Sequence, residues 1–153
     1  MPIRPVGPAD ATHLVALLRQ MHEESPVVSK FQFDDEGTYD VIEELSQGEK
    51  DDLFFWIYIH DGEIAGVALL EATPSLFGFY TIVSEHILYA KASARGSFGM
   101  GRLLQHALRW AENRGDVIRF EASSGIQDDQ LATQAFQRLG LSPCGTLYGK
   151  EMV

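Results

Sequence analysis

The sequence predicts one mixed α/β domain over residues 1–153, with a mostly antiparallel central sheet of about six to seven strands and about four helices on its two faces. Two observations carry this prediction. The segment LFFWIYIH at 53–60 is apolar on both faces and rich in aromatic and β-branched residues, and Asp61-Gly62 after it is typical of a two-residue hairpin turn. Between 79 and 122 a strand, a helix of about fifteen residues and a second strand follow one another, which predicts a crossover unit with parallel strands.

The first third of the chain predicts a short edge strand and two amphipathic helices. The strand covers Ile3–Val6, and Asp10 is placed to cap a helix over 11–22 whose leucines share one face. The acidic run Asp34–Glu36 indicates the first turn of a second helix, because negative charge is favourable at a helix start. The apolar positions of that helix that we expect to face inward are Val41, Ile42 and Leu45.

The rest of the chain continues the sheet. Residues 63–73 predict the hairpin partner of the first long strand, and 79–90 predict a third antiparallel strand. After the crossover helix, 117–122 predict a further strand, and 127–139 predict a last helix with Leu131, Ala132, Ala135, Phe136 and Leu139 inward. The tail at 141–152 is expected to add one or two strands.

Composition excludes several classes of function. The formal net charge is −10, which argues against DNA or RNA as a partner and favours cationic amines. A single cysteine, Cys144, excludes an intramolecular disulfide and favours a reducing compartment. No apolar segment is long enough for a membrane helix and the start has no signal-peptide core, so we expect a cytoplasmic protein without a membrane partner. Assembly as a homodimer is left open.

The segment at 94–115 carries the functional signal. Arg95, Gly96, Gly99 and Gly101 lead directly into a helix with apolar residues at helical spacing. Glycine lacks the Cβ that would block close approach, and the first amides of a helix have no partner inside it. The segment therefore has the properties of a phosphate-binding turn, although an ordinary strand-to-helix turn would look the same.

The surrounding residues resemble the acetyl-CoA-binding segment of the GCN5-related N-acetyltransferases (GNAT). The strand EHILYA, the arginine-glycine loop, the paired leucines Leu103 and Leu104, and Gly115 all match, and the opening IRPVGPAD is also similar. The family pattern is Q/R-x-x-G-x-G/A, whose amides hold the CoA pyrophosphate. With no gap, Phe98 and Met100 take the glycine places; with a loop one residue longer, Gly99 and Gly101 do, and we prefer the longer loop.

The resemblance implies an acyl-CoA N-acyltransferase-like fold and direct acetyl transfer from acetyl-CoA to a primary amine, without a metal. It implies that the strands around Ile87 and Phe120 splay and admit the pantetheine arm, and that amides near 88–90 stabilise the oxyanion. The cofactor-binding residues that it implies are Leu88, Tyr89, Ala90, Arg95, Gly96, Ser97, Phe98, Gly99, Met100, Gly101, Arg102, Asp129, Ala132 and Phe136.

Acetyl transfer needs a base for the ammonium, and Glu85 is our candidate. By strand alternation Glu85 shares a face with Val83, Ile87 and Tyr89, where a carboxylate would be partly desolvated. It also matches the position of the base in histone-acetylating members of the family. The alternatives are an ordinary polar residue near the solvated end of a strand, or His86 on the other face as the base.

The general acid is less clear, because the family motif N-x-x-A-x-x-x-Y around the last helix is altered. Aligned on Ala132, the chain has Asp129 at the asparagine and Phe136 at the tyrosine that protonates the CoA sulfur. Phenylalanine cannot donate a proton. The thiolate leaves unaided, or Tyr89 or Tyr148 serves as the acid, or the chain is a non-catalytic module that binds acyl-CoA without turnover.

Overall fold

The computed structural model describes residues 2–48, 50–96, 98–123, 130–145 and 148–152. Its strands are β1 (Ile3–Pro5), β2 (Leu53–His60), β3 (Glu63–Pro74), β4 (Thr81–Ala90) and β5 (Val117–Glu121). Its α-helices are α1 (Ala11–Glu24), α2 (Asp35–Gln47), α3 (Gly99–Arg114) and α4 (Gln130–Arg138). The sheet order is β1-β2-β3-β4-β5, antiparallel except for the parallel β4–β5 pair that α3 connects. The predicted fold class is confirmed.

Two apolar cores lie on opposite faces of the sheet. On one face α1 and α2 cover the sheet, with Leu14, Leu17 and Ile42 packed against residues such as Ile57 and Val67. On the other face α3 inserts a buried stripe against β2, β3 and β4. The members of that stripe are Leu103, Leu104, Ala107 and Ala111. Gly115 ends α3 in the left-handed conformation, with φ 78°, as the position after a helix favours.

The local turn chemistry explains the best-predicted parts. Asp61 and Gly62 both have positive φ, at 52° and 78°, which is the backbone of a type I′ hairpin turn and agrees with the right-handed twist of the strands. Asp34 accepts a hydrogen bond from the Gly37 amide at 2.9 Å and so caps α2. Asp10 precedes α1, but its carboxylate accepts hydrogen bonds from Gly7 and Arg4 and caps no amide of that helix.

Two predictions about the sheet and its packing are wrong. Among the described residues the sheet has five strands, not six to seven, and the tail residues 141–145 and 148–152 form none. Pro143 and Gly145 interrupt the tail and disfavour strand pairing, which a pattern of scattered apolar residues does not reveal. Val41, expected to face inward, is exposed because the buried stripe of α2 passes through Ile42.

A β-bulge in β4 changes the faces of its side chains. Leu69 pairs with Ile87 and Leu70 pairs with Glu85, so His86 is an extra residue in the ladder. Val83 therefore lies in the core on the α3 side while Ile87 and Tyr89 lie on the α1 side. The prediction that Glu85 shares one face with all three is wrong, because simple alternation fails across a bulge.

The two parallel strands part after four paired positions. The last pair is Ser84 with Glu121, and β4 continues to Ala90 with no strand partner on its β5 side among the described residues. This divergence leaves the last six residues of β4, from Glu85 to Ala90, unpaired on that side before the chain turns toward α3. No helix among the described residues combines the length and the apolar character needed to cross a bilayer.

Candidate functional site

A cavity of about 610 Å³ lies at the end of β4. Its walls are the last residues of β4, the turn that leads into α3 with the first helical turns, and the apolar face of α4. Met21 of α1 also contributes, so the cavity reaches across the opening in the sheet toward the α1 side. It is lined mostly by apolar side chains, together with the backbone of a turn and several arginine and glutamine side chains, which is typical of a ligand site.

The structure brings together most of the residues predicted to bind a cofactor. Those that line the cavity are Leu88, Tyr89, Ala90, Arg95, Gly96, Phe98, Met100, Gly101, Arg102, Ala132 and Phe136. Ser97 and Asp129 lie outside the described residues. Gly99 is buried beneath the turn and does not line the cavity.

The glycine turn leaves backbone exposed to this cavity. Helix α3 begins at Gly99, so the amides of 99–101 have no helical carbonyl partner, and of these residues Met100 and Gly101 line the cavity. Gly96 has φ 84°, a conformation that glycine adopts without strain. A Cβ at Gly101 would meet open space. Phe98 is 77% exposed and so leaves the turn open.

Tyr58 of β2 supports this turn from below, and the sequence analysis missed it. Its buried hydroxyl donates a hydrogen bond to the Ala94 carbonyl at 3.2 Å. Its ring lies so close to Gly66 and Gly99 that a Cβ at either position would stand 2.4 Å from a ring carbon. A glycine inside the apolar strand β3 is the signal that could have revealed this close approach.

Glu85 bridges the opening between β4 and β5. Its Oε1 accepts hydrogen bonds from the backbone amide of Ser123, at 3.1 Å, and from the Ser123 hydroxyl. The carboxylate thus lies where the strands part, but it does not line the cavity. His86, the extra residue of the bulge, is exposed, and its Nε2 lies 3.7 Å from Oε1 of Glu71.

A network of Glu24, Tyr89 and Arg95 closes the α1 end of the cavity. The Tyr89 hydroxyl donates to Oε1 of Glu24 at 2.7 Å, and the Arg95 guanidinium donates to Oε2 of the same carboxylate. Nε of Arg95 also donates to the Ala90 carbonyl at 3.0 Å. Burial of the ring and, after it, the hydrogen bond to Glu24 raise the pKa of the Tyr89 phenol.

The other candidate acids stand apart from this network. Tyr148 is 89% exposed and does not line the cavity, so the structure does not bring it to the site. Phe136 lines the cavity from α4 and offers no proton. Among the residues that line the cavity, Tyr89 is the one tyrosine and so the one phenol that could act as the general acid. Its hydroxyl donates to Glu24.

Two arginines that line the cavity, Arg102 and Arg138, make no ion pair with another described residue. Arg102 is the one beside the glycine turn, where it is exposed and lies in the first turns of α3. A guanidinium beside unpaired helix amides favours an anionic group. Within the described ranges, no cluster of three or more His, Cys, Asp or Glu side chains is arranged to hold a metal ion.

A family model described as "Acetyltransferase (GNAT) family" matches residues 15–141. Among curated proteins, none matches the chain by sequence.

Solved acetyltransferase structures share the fold over nearly the whole chain. Glucosamine-6-phosphate N-acetyltransferase from Arabidopsis thaliana has a TM-score of 0.74 at 13% identity, covering 99% of this chain and 98% of that one. AAC(6′)-Iy in complex with the bisubstrate analogue CoA-S-monomethyl-acetylneamine has a TM-score of 0.71 at 19% identity, covering 98% and 97%. Ribosomal-protein-alanine N-acetyltransferase from Brucella melitensis biovar Abortus 2308 has a TM-score of 0.71 at 13% identity, covering 99% and 100%. At these identities the likeness shows the fold alone.

Proposed function

The chain belongs to the GNAT acetyltransferase family, and on that premise we propose that it is a cytoplasmic N-acetyltransferase. The reaction is the direct transfer of an acetyl group from acetyl-CoA to a primary amine of a small molecule or protein. The observation that carries the proposal is the cavity of about 610 Å³ that joins the unpaired end of β4 to the glycine start of α3.

The residues around the cavity fit an acyl-CoA. The amides of Met100 and Gly101 and the Arg102 guanidinium would hold the pyrophosphate, since unpaired helix amides and a free cation both favour an anion. The backbone of 88–90 would pair with the pantetheine arm, and the apolar face of α4 would cover it. When bound, acetyl-CoA supplies an activated acyl group on a thiol leaving group.

The chain's own residues then have to orient the amine and remove its proton. Glu85 is the proposed base, and its carboxylate is already held at the strand opening by Ser123. Amides at 88–90 would donate to the oxyanion. Because the Tyr89 hydroxyl is engaged with Glu24 and Tyr148 does not line the cavity, we propose that the thiolate leaves without a side-chain acid.

The acceptor is proposed to be a cationic amine. The net charge of −10 attracts cations to the protein as a whole. Two of the similar structures also point to amines: one is named for glucosamine-6-phosphate, and the other carries an analogue that joins CoA to acetylneamine.

A second candidate function is an acyl-CoA-binding module that does not turn over. Phe136 in place of a proton donor on α4 is the observation that favours it. The enzyme and the binding module differ in one measurable product, which is free CoA thiol.

The test combines calorimetric titration of acetyl-CoA with an assay of thiol release in a panel of polyamines, aminoglycosides, amino acids and lysine peptides. The variant Arg102→Gln should weaken acetyl-CoA binding about tenfold, since it removes one charge-assisted contact. The matched control is Arg109→Gln, seven residues later on the same helix and outside the cavity lining, which should bind as wild type does. Saturable binding without thiol release would favour the binding module, and no binding at all would refute both.

A further inference from the structure

The network of Glu24, Tyr89 and Arg95 joins the end of α1 to β4 and to the glycine turn. In the Glu24–Arg95 ion pair the side chains are 30% and 23% exposed, and it is the one ion pair between described residues in which both partners are at most 30% exposed. Both carboxylate oxygens of Glu24 are used, one by Arg95 and one by Tyr89. Such a doubly engaged carboxylate holds its partners in a fixed arrangement.

Glu24 stands at an electrostatically unfavourable place on its helix. It is the last residue of α1, where the partial negative charge of the helix dipole disfavours a carboxylate. The Arg95 guanidinium offsets this unfavourable placement. Arg95 lies 71 positions along the chain from Glu24. A residue that is unfavourable for its own helix and is stabilised by such a distant partner is often part of a functional site.

Arg95 connects three parts of the structure. Its Nε hydrogen bond to the Ala90 carbonyl closes the segment between the end of β4 and the glycine turn. Its terminal nitrogen binds Glu24 of α1, and its guanidinium carbon lies 5.5 Å from the centre of the Tyr89 ring. The guanidinium is therefore already occupied by protein groups, in contrast to that of Arg102 on the same cavity.

We propose that Glu24 and Arg95 are positioning residues, which fix the segment from Ala90 to the glycine turn against α1 so that the first amides of α3 face the ligand. Arg95 acts through its shape and its two hydrogen bonds, and it is not a ligand of the phosphates. The inference rests on the proposed function, since it assigns a role within the acetyl-CoA site.

The decisive comparison is between Arg95→Gln, which removes the charge of the side chain, and Arg95→Lys, which keeps the charge but loses the geometry of the guanidinium. Lysine at position 95 keeps the charge, but its single ammonium cannot reach the Ala90 carbonyl and the Glu24 carboxylate in the same way as the guanidinium. Positioning therefore predicts that Arg95→Lys binds CoA as poorly as Arg95→Gln. A phosphate ligand predicts that the lysine variant binds almost as wild type does.

The experiment titrates CoA by calorimetry into wild type and four variants: Glu24→Gln, Arg95→Gln, Arg95→Lys and the double variant Glu24→Gln/Arg95→Gln. We expect each single change to raise the Kd about tenfold or more and the double variant to bind no worse than Arg95→Gln alone, because the Glu24–Arg95 contact is already lost in that variant. With acetyl-CoA and an active acceptor, the KM for acetyl-CoA should rise while kcat and the KM for the acceptor change less than threefold. Thermal unfolding of each variant without ligand, followed in parallel, separates a loss of CoA binding from a loss of folding.

The matched control is Arg19→Gln, which removes another ion pair of α1, that with Asp35 of α2. It should leave the Kd for CoA unchanged. The inference is overturned if Glu24→Gln binds CoA as tightly as wild type or more tightly, if Arg95→Lys restores binding, or if the effects of the two single changes add. A wild-type protein that binds no CoA would refute the proposed function itself, and the inference with it.

Discussion

Helices α3 and α4 carry similar apolar stripes but meet different surroundings. In α3 the stripe is buried against the sheet. In α4 no described residue is buried. Its residues Ala132, Ala135, Phe136 and Leu139 line the cavity, on the side opposite the lining residues between 88 and 105. The difference teaches that an amphipathic pattern predicts an apolar neighbour but not whether that neighbour is protein or ligand. We infer that α3 is stabilised by the fold and α4 by what binds beside it.

The largest expected effect is on α3. Leu103 is completely buried, so Leu103→Ala should lower the free energy of unfolding by about 2–5 kcal/mol, measured by urea denaturation without ligand. The matched change on the other helix, Leu131→Ala, removes a side chain that is 48% exposed and should cost less than about 1 kcal/mol. Equal losses would contradict the contrast between the two helices.

The start of α3 offers a second contrast, between two glycines two residues apart. Gly99→Ala places a methyl group against the Tyr58 ring and should cost about 1–3 kcal/mol of unfolding free energy by overpacking. Gly101→Ala meets open space and should leave stability unchanged or raise it by up to about 1 kcal/mol, as alanine favours a helix. The same Gly101→Ala variant should nevertheless bind CoA more weakly. Normal CoA binding by this variant would contradict a phosphate site at the glycine turn.

Helix α4 should respond to ligand rather than to loss of packing. Acetyl-CoA at about 100 times its Kd should stabilise the wild type by about 2.7 kcal/mol. Phe136→Ala should change stability without ligand by less than about 1.5 kcal/mol but should lose about half of that ligand-induced gain. Hydrogen exchange should also show amides of 130–138 slowing on addition of acetyl-CoA while those of 103–111 stay protected throughout. A loss of stability as large as that of Leu103→Ala would place Phe136 in a closed core.

The smallest expected effect is the pH dependence of stability that comes from Tyr89, which packs on the α1 side of β4. Tyr89 is 3% exposed, and burial raises the pKa of its phenol above the ordinary value of 10. Above about pH 10 the unfolded chain ionises at this residue while the folded chain does not, so unfolding releases a proton and stability falls as the pH rises. The unfolding free energy of wild type should drop faster between pH 10 and 11 than that of Tyr89→Phe, by up to about 1.4 kcal/mol per pH unit. Parallel pH dependences would show that the phenol is not held neutral.

Much of the fold could be predicted because local chemistry determines it. Strand β2 was predicted with its observed bounds, since an apolar β-branched segment met the Asp61-Gly62 turn. The glycine turn and α3 were predicted from residue types that act over a few positions. The tail was not, because pairing with a sheet edge depends on distant partners.

The candidate site was predictable along one segment and not across the chain. The residues of 88–102 were found because they are adjacent in sequence, and the cavity gathers most of them. Glu24, Met21 and Tyr58 come from other elements and reach the site only through the fold. The face of Glu85 was predicted wrongly because one extra residue, His86, interrupts the alternation, and composition alone does not reveal a bulge.

The divergence of β4 and β5 has a consequence for what can enter. The strand edge from Glu85 to Ala90 has no strand partner on its β5 side among the described residues, and peptide groups that lose water need new partners. A hydrocarbon chain bound along this edge would remove water from the peptide groups without offering them hydrogen bonds. We therefore expect the edge to favour a molecule that carries amide groups of its own.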